Sequence, residues 1–163
     1  MKKITLIFSV IFLVGCSNES ENIDSQSIDK NETFNWRLVT SWPKNYPGLG
    51  MAPERIADLV EEMSDGQMKI TVYGAEEQVP AFGVFDAVSS GSHQMGHSGG
   101  YFWKGKVPAA QFFTSVPFGL TADEINAWVN RGGGLELWRE IYAPFNIYPC
   151  LLYTSPSPRD AHK

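Results

Sequence analysis

Cysteine, histidine and positive charge are all scarce in this sequence of 163 residues. Two cysteines allow at most one disulfide, so the fold must rest on a hydrophobic core rather than on a disulfide framework. Lys and Arg number 13 against 18 for Asp and Glu, which gives a net charge of −5. Because a nucleic-acid-binding protein usually carries a basic patch, this balance argues against a nucleic-acid partner. A small anionic ligand is still allowed, since a cleft can be locally positive on an acidic protein.

The N-terminus has the pattern of an export signal. Lys2 and Lys3 precede an apolar run over residues 4–14, which is too short to span a bilayer permanently, so residues 1–15 are predicted to be a signal peptide. The run ends in Leu-Val-Gly-Cys, which resembles the lipobox of bacterial lipoproteins and predicts lipidation of Cys16. The alternative is an ordinary signal peptide that happens to contain a cysteine. A bacterial protein that is periplasmic or on the cell surface, and lipid-anchored, is therefore expected.

Composition divides the rest of the chain into three parts. Residues 16–33 are polar and acidic and predict a flexible, lipidated tether. Residues 34–150 carry the apolar patterning of a folded lobe. Residues 151–163 resemble a translated sequencing-adapter tail and are interpreted as non-native, so the protein is expected to be truncated near Cys150. With Cys16 acylated, Cys150 has no disulfide partner and is expected to be a small buried residue.

Alternating and helical periodicities predict an α/β fold. Three strands and two helices alternate at the start of the folded part, over residues 36–40, 53–64, 68–73, 80–90 and 94–97. A capping box predicts a further helix over 121–131, a fourth helix is expected over 135–142, and a strand is expected to start at 146. The strand–helix alternation implies a parallel sheet with right-handed crossovers. Ligands of such sheets bind beyond the carboxyl ends of the strands, which directs attention to residues 41–44 and 98–106.

Four side chains near these strand ends are candidate ligand-binding residues: Tyr101, Trp42, Gln78 and Phe82. The tyrosine hydroxyl can donate to a carboxylate or keto oxygen, and aromatic rings give a ligand an apolar wall. A place in the core is the competing interpretation for each aromatic residue, most strongly for Phe82. If residues 101–103 are extended, successive rings alternate in direction and at least one of them faces the core. Lys104 and Lys106 are interpreted as a solvated face.

The Gly-x-Ser-x-Gly pattern at residues 96–100 fits the nucleophile elbow of a serine hydrolase with Ser98 as nucleophile. That motif requires a strand–turn–helix and a later histidine, yet the sequence after Tyr101 does not predict a helix. The one later histidine is His162, inside the suspected tail. No catalytic residue is therefore assigned. His93 and His97 lack a second cluster of ligands, so no metal site is assigned either.

Three segments together resemble a known family: 36–44, 79–88 and 95–106, the last reading Met-Gly-His-Ser-Gly-Gly-Tyr-Phe-Trp-Lys-Gly-Lys. The chain resembles a TRAP transporter solute-binding protein of the DctP type, in the branch that binds 2-oxo acids, lactate and related carboxylates. The resemblance implies a periplasmic-binding-protein-like receptor of two α/β lobes that closes on its ligand. This chain would be an N-terminal fragment that holds mainly the first lobe.

The resemblance also implies the partners: a small organic acid ligand, TRAP membrane permease subunits and, through the lipid, the membrane. In the complete family an arginine for the ligand carboxylate, and polar residues that can share a metal ion with the ligand, follow the crossing into the second lobe. No cofactor is therefore expected within these residues. Two other functions remain open at this point: a secreted serine hydrolase that uses Ser98, and a lipoprotein that only presents an interaction surface.

Overall fold

The computed structural model describes residues 32–114 and 116–150. The predicted signal peptide, the lipidation site at Cys16, nearly all of the tether and the suspected tail over 151–163 lie outside these residues. Among the described helices, none has both the length and the apolar character needed to cross a membrane.

A three-stranded parallel sheet organises the first half of the chain, as the sequence predicted. Its strands are β1 (Phe34–Thr40), β2 (Met68–Tyr73) and β3 (Met95–His97), in the order β2-β1-β3. Val39 in the central strand lies opposite Tyr73 on one side and Gly96 on the other. Because all three strands run in the same direction, their carboxyl ends lie at one edge of the sheet.

Helices connect the strands. Helix α1 (Met51–Met63) leads from β1 to β2 and buries Pro53 and Ala57. The expected helix over 80–90 is divided into a 3₁₀ turn, Ala81–Gly83, and helix α2 (Val84–Ser89). Gly96 allows α2 to lie close to β3, since a Cβ atom at this position would lie 2.8 Å from side-chain carbons of Val84 and Val88.

The second half of the described chain is helical. Two 3₁₀ segments, Gly100–Trp103 and Pro108–Phe113, follow β3, and then come α3 (Ala122–Arg131), α4 (Gly134–Tyr142) and a 3₁₀ turn over Ala143–Phe145. The predicted capping box of α3 is present: the Glu124 amide donates to Thr121 Oγ1 and the Thr121 amide donates to Glu124 Oε2.

Two hydrophobic clusters stabilise this arrangement. A smaller aliphatic cluster joins α1 to β1 and β2 through Leu38, Ala57, Ile70 and Val72. A larger, aromatic cluster joins α2, the two long 3₁₀ segments and α4, and its rings belong to Phe85, Trp103, Phe113, Trp138 and Tyr142. We call these five residues the core cluster.

Three expectations from the sequence are wrong. No strand starts at residue 146, because Asn146 adopts a left-handed conformation (φ 55°) that ends the preceding 3₁₀ turn and is common for asparagine. Cys150 is exposed rather than buried, and its neighbour Pro149 occupies the buried position instead. Phe82 is 66% exposed and is not a core residue, because the 3₁₀ turn that carries it precedes the part of α2 that faces the core.

Candidate functional site

The carboxyl ends of β1 and β3 meet at the predicted place. Thr40 and His97 lie opposite each other as the last paired residues of the two strands. The Ser41 amide extends the pairing by donating to the His97 carbonyl oxygen at 3.0 Å. The segments that follow, 41–44 and 98–106, are therefore neighbours, as the rule for parallel sheets predicts.

Five ring-bearing side chains gather at this edge, and Phe102 lies at their centre. Its ring centroid is 4.4 Å from that of Tyr101, 5.2 Å from that of Phe82 and 6.1 Å from that of Trp42. The Trp42 ring also lies 4.9 Å from the His97 imidazole. We call Trp42, Phe82, His97, Tyr101 and Phe102 the strand-end cluster.

The strand-end cluster is accessible from outside. Phe82 is 66% exposed and Tyr101 is 38% exposed, whereas Trp42, His97 and Phe102 are partly buried. Grouped aromatic side chains that keep this much exposure, with polar groups among them, have the character of a ligand-binding wall.

Three of the four candidate residues, Trp42, Tyr101 and Phe82, are brought together in this cluster. Gln78 is exposed and, within the described residues, makes no hydrogen bond or ring contact with the cluster. Its loop nevertheless lies beside the cluster, because the Ala75 amide donates to the Trp42 carbonyl oxygen at 3.0 Å. Of the four candidates, Gln78 is thus the one that the structure does not bring into the cluster.

A short 3₁₀ helix, Gly100–Trp103, sets the directions of the three consecutive aromatic residues. The segment is therefore not extended, and the condition for alternating ring directions is not met. Trp103 nevertheless enters the core, where it is 6% exposed and its ring lies 5.4 Å from that of Phe85. Phe102 and Tyr101 stay at the strand ends.

Two glycines make this geometry possible. A Cβ atom at Gly99 would lie 2.6 Å from Cε1 of Tyr101, so the tyrosine ring lies directly against the Gly99 backbone. A Cβ atom at Gly100 would lie 2.5 Å from the Ala110 carbonyl oxygen, so the two 3₁₀ segments pass each other where only glycine fits. Because neither glycine has a Cβ atom, the Tyr101 ring and the turn that carries it have room to lie where they do.

Ser98 has structural partners that differ from those of a hydrolase nucleophile. Its hydroxyl oxygen lies 2.7 Å from Ser41 Oγ, and Ser41 Oγ donates to the Ala81 carbonyl oxygen at 2.7 Å. Since the single Ser41 proton goes to Ala81, Ser98 must donate to Ser41, and no histidine within the described ranges accepts its proton. The segment that follows is a four-residue 3₁₀ turn rather than the α-helix of a nucleophile elbow. The hydrolase alternative is not supported.

Two lysines of the segments that carry the cluster are already paired. Lys106 forms an ion pair with Asp86 and lies over the Phe85 ring, 5.5 Å from its centroid. Lys44 forms an ion pair with Glu77 at 3.2 Å. Across residues 32–114 and 116–150, no group of three or more His, Cys, Asp or Glu side chains could hold a metal ion.

The sequence suggested His97 only as a metal ligand together with His93, and suggested for Phe102 only a direction. Yet both belong to the strand-end cluster. Burial lowers the pKa of His97 from the usual value for histidine, so its imidazole is neutral at pH 7. A signal that could have identified them is their position on either side of the glycine pair Gly99-Gly100 at the end of β3.

Comparisons with known proteins identify the family. The sequence model of bacterial extracellular solute-binding protein family 7, DctP, matches residues 38–149. A monocarboxylate 2-oxoacid-binding periplasmic protein of Nostoc sp. (strain PCC 7120) is 47% identical over 112 residues, which are 69% of this chain and 30% of the relative. The chain thus spans less than a third of that relative's length.

Solved structures give the same result. A TRAP periplasmic solute-binding protein from Pseudoalteromonas atlantica, with bound sodium and pyruvate, superposes with a TM-score of 0.70 at 46% identity, over 72% of this chain and 36% of that one. One from Colwellia psychrerythraea, with bound calcium and pyruvate, has a TM-score of 0.70 at 42% identity and the same coverage. Because the match covers about a third of each structure, the described residues have the α/β fold of one lobe. The chain belongs to bacterial extracellular solute-binding protein family 7, the DctP family of TRAP transporter solute-binding proteins.

Proposed function

We propose that this chain forms part of an extracytoplasmic TRAP transporter receptor that captures a small 2-oxo or hydroxy monocarboxylate by lobe closure, without catalysis. The observation that carries the proposal is the strand-end cluster, an accessible aromatic wall in a lobe that is 46% identical to a protein with pyruvate bound. The ligand class comes from the 2-oxoacid named for the Nostoc relative and the pyruvate named for two solved structures.

The wall suits one half of such a ligand. Trp42 and Phe102 offer apolar ring surface to a short carbon chain, and the Tyr101 hydroxyl can donate to a ligand oxygen. Lys44 and Lys106 are paired with carboxylates of their own, which leaves the countercharge for the ligand to another residue. The resemblance assigns that task to an arginine of the second lobe, which supports a mechanism in which two lobes close on the ligand.

We further propose delivery of the ligand to a TRAP membrane permease from a periplasmic or cell-surface position. The periplasmic location named for the Nostoc relative supports this placement. The lipobox-like sequence before Cys16 supports a lipid anchor, with residues 16–33 as the tether to a lobe that starts at residue 34. Mass spectrometry of the protein from membranes would detect a diacylated Cys16.

A chimera tests the binding function. Residues 34–149 of this chain would replace the matching lobe of the Pseudoalteromonas protein, so that both walls of the cleft are present. Calorimetric titration with pyruvate, lactate and longer 2-oxo acids is expected to show binding of at least one of them. Trp42→Ala in the chimera is expected to weaken it, because the aromatic wall loses its largest ring.

The matched control is Tyr46→Ala, because Tyr46 is an exposed aromatic residue outside the strand-end cluster. It should leave affinity unchanged. A folded chimera, verified by circular dichroism, that binds none of these acids would contradict the proposed ligand class. A Trp42→Ala chimera that binds as well as the unmutated one would remove Trp42 from the site.

A further inference from the structure

The imidazole of His97 is held by two neighbours at the strand ends. Its Nδ1 atom lies 3.1 Å from Thr40 Oγ1, and its ring lies 4.9 Å from that of Trp42. Thr40 Oγ1 also accepts a hydrogen bond from the Trp42 amide at 3.2 Å. Thr40 is 1% exposed, so its hydroxyl group must find its partners within the protein.

These contacts decide which atom carries the proton. Thr40 Oγ1 has one proton to donate, and among the described residues His97 Nδ1 is the one acceptor within reach. If Nδ1 carried a proton, Thr40 would receive two donors and its own buried proton would have no acceptor. An unsatisfied buried donor costs about 1–3 kcal/mol. The satisfied arrangement has Thr40 donating to an unprotonated Nδ1, which puts the imidazole proton on Nε2.

The Nε2 atom is then a donor without a hydrogen-bond partner among the described residues. The Nε2 atom of His93 is also unpaired, but it is buried away from solvent. His97, by contrast, is only partly buried and belongs to the accessible strand-end cluster. Burial keeps the pKa of His97 below its usual value, so the ring remains neutral and keeps this single donor at pH 7.

We propose that His97, fixed by Thr40 as the Nε2–H tautomer, donates a hydrogen bond from Nε2 to an oxygen atom of the bound 2-oxo acid. This inference rests on the proposed function and adds a residue to it. Thr40 is a positioning residue in this account: it is too buried to reach the ligand, and it acts by setting the tautomer of His97. The partial exposure of the imidazole beside Trp42 puts this donor on the same aromatic wall.

The tautomer is measured on the full chain without any ligand. Long-range ¹H–¹⁵N correlation spectra of the ¹⁵N-labelled protein at pH 7, with His97 assigned by its loss in His97→Gln, should show protonation at Nε2 alone. Thr40→Ser keeps a hydroxyl group and should keep this pattern, whereas Thr40→Val should lose it. Protonation at Nδ1, or at both nitrogens, in the unmutated protein would overturn the proposal even if Thr40→Val fails to fold.

The donor role is measured by adding pyruvate to the ¹⁵N-labelled chimera and its Thr40 variants, in which both walls of the cleft are present. The expected result is a shift of the His97 Nε2 resonance together with the Trp42 indole resonance, and affinity about tenfold weaker in Thr40→Val than in Thr40→Ser. A shift at Trp42 with none at His97 would overturn the role of His97 and leave the proposed function standing. No shift at either residue would overturn the proposed function, and this inference with it.

Discussion

The core cluster and the strand-end cluster are built from the same kinds of side chain and have different surroundings. In the core cluster, the Phe113 and Trp138 rings are nearly parallel with centroids 5.5 Å apart, and both residues are buried. In the strand-end cluster, Phe82 and Phe102 meet edge to face at 5.2 Å and Phe82 is 66% exposed. Aromatic content alone therefore does not distinguish packing from binding in this lobe.

Polar partners distinguish the two clusters. The strand ends supply three hydroxyl groups: that of Thr40 bonds to His97 at 3.1 Å, and that of Ser41 bonds at 2.7 Å to the Ser98 hydroxyl group and to the Ala81 carbonyl oxygen. Such bonds hold side chains in fixed orientations without covering them, which a ligand site requires. The core cluster instead excludes solvent and stabilises the fold through buried apolar area.

The largest expected difference between the clusters is in stability. Phe113→Ala should lower the free energy of unfolding by about 3–5 kcal/mol, because it leaves a cavity in the core. Phe82→Ala removes an exposed ring and should change it by about 0.5 kcal/mol or less. Urea denaturation followed by circular dichroism measures both, and equal losses would show that the two clusters are not different in kind.

A second, smaller effect on stability is expected where the 3₁₀ segment Gly100–Trp103 passes the 3₁₀ segment Pro108–Phe113. Gly100→Ala places a methyl group against the Ala110 carbonyl oxygen and should cost about 1–3 kcal/mol, because backbone must move. Gly105→Ala is the control, since no atom lies within 4 Å of a Cβ there. If Gly100→Ala unfolds at the same urea concentration as Gly105→Ala, the two 3₁₀ segments do not approach each other as closely as described.

A third effect concerns pH. Burial lowers the pKa of His97, and burial together with the Arg37 charge lowers the pKa of His93. The unfolded state therefore binds more protons, so these histidines cost no stability above pH of about 6.5 and reduce it as pH falls towards their folded values. Thermal unfolding from pH 7.5 to 5.5 should show a falling midpoint.

The fall should be smaller in His97→Gln than in the unmutated chain, because glutamine has no proton to bind in this range. A pH dependence that His97→Gln leaves unaltered would show that the strand-end imidazole is not desolvated. His93→Gln tests the second histidine in the same way.

The smallest effect on stability is expected for Gly99→Ala. The added methyl group meets the end of the Tyr101 ring, a side chain that can swing away, and Gly99 has an extended backbone (φ −96°, ψ 132°) that alanine also adopts. Unfolding should change by about 0.5 kcal/mol or less. Pyruvate affinity of the chimera should nevertheless fall, and unchanged affinity would show that the Tyr101 orientation does not matter for binding.

Much of this fold follows from local sequence patterns. The alternation in β2 and the capping box at Thr121 predicted their elements correctly, and the order of strands and helices predicted a parallel sheet. The carboxyl-end rule then brought Trp42 and Tyr101 to one place without any tertiary information.

What sequence reasoning missed lies in short segments that have no periodicity. A 3₁₀ turn of four residues leaves no repeating pattern, so the direction of Phe102 could not be read from residues 100–103. The left-handed turn at Asn146 and the exposure of Phe82 likewise belong to 3₁₀ turns of three residues, which leave no repeating pattern in the sequence. The link between Thr40 and His97 joins residues 57 positions apart and needed the register of β1 and β3.

We propose that the strand-end cluster, and not the core cluster, receives a small monocarboxylate. Nuclear Overhauser effects from the methyl group of pyruvate to the aromatic protons of the labelled chimera test this most directly. Contacts to Trp42 and Phe102 are expected, and none to Phe113 or Trp138. Contacts to the core rings, or bound pyruvate that touches neither Trp42 nor Phe102, would contradict it.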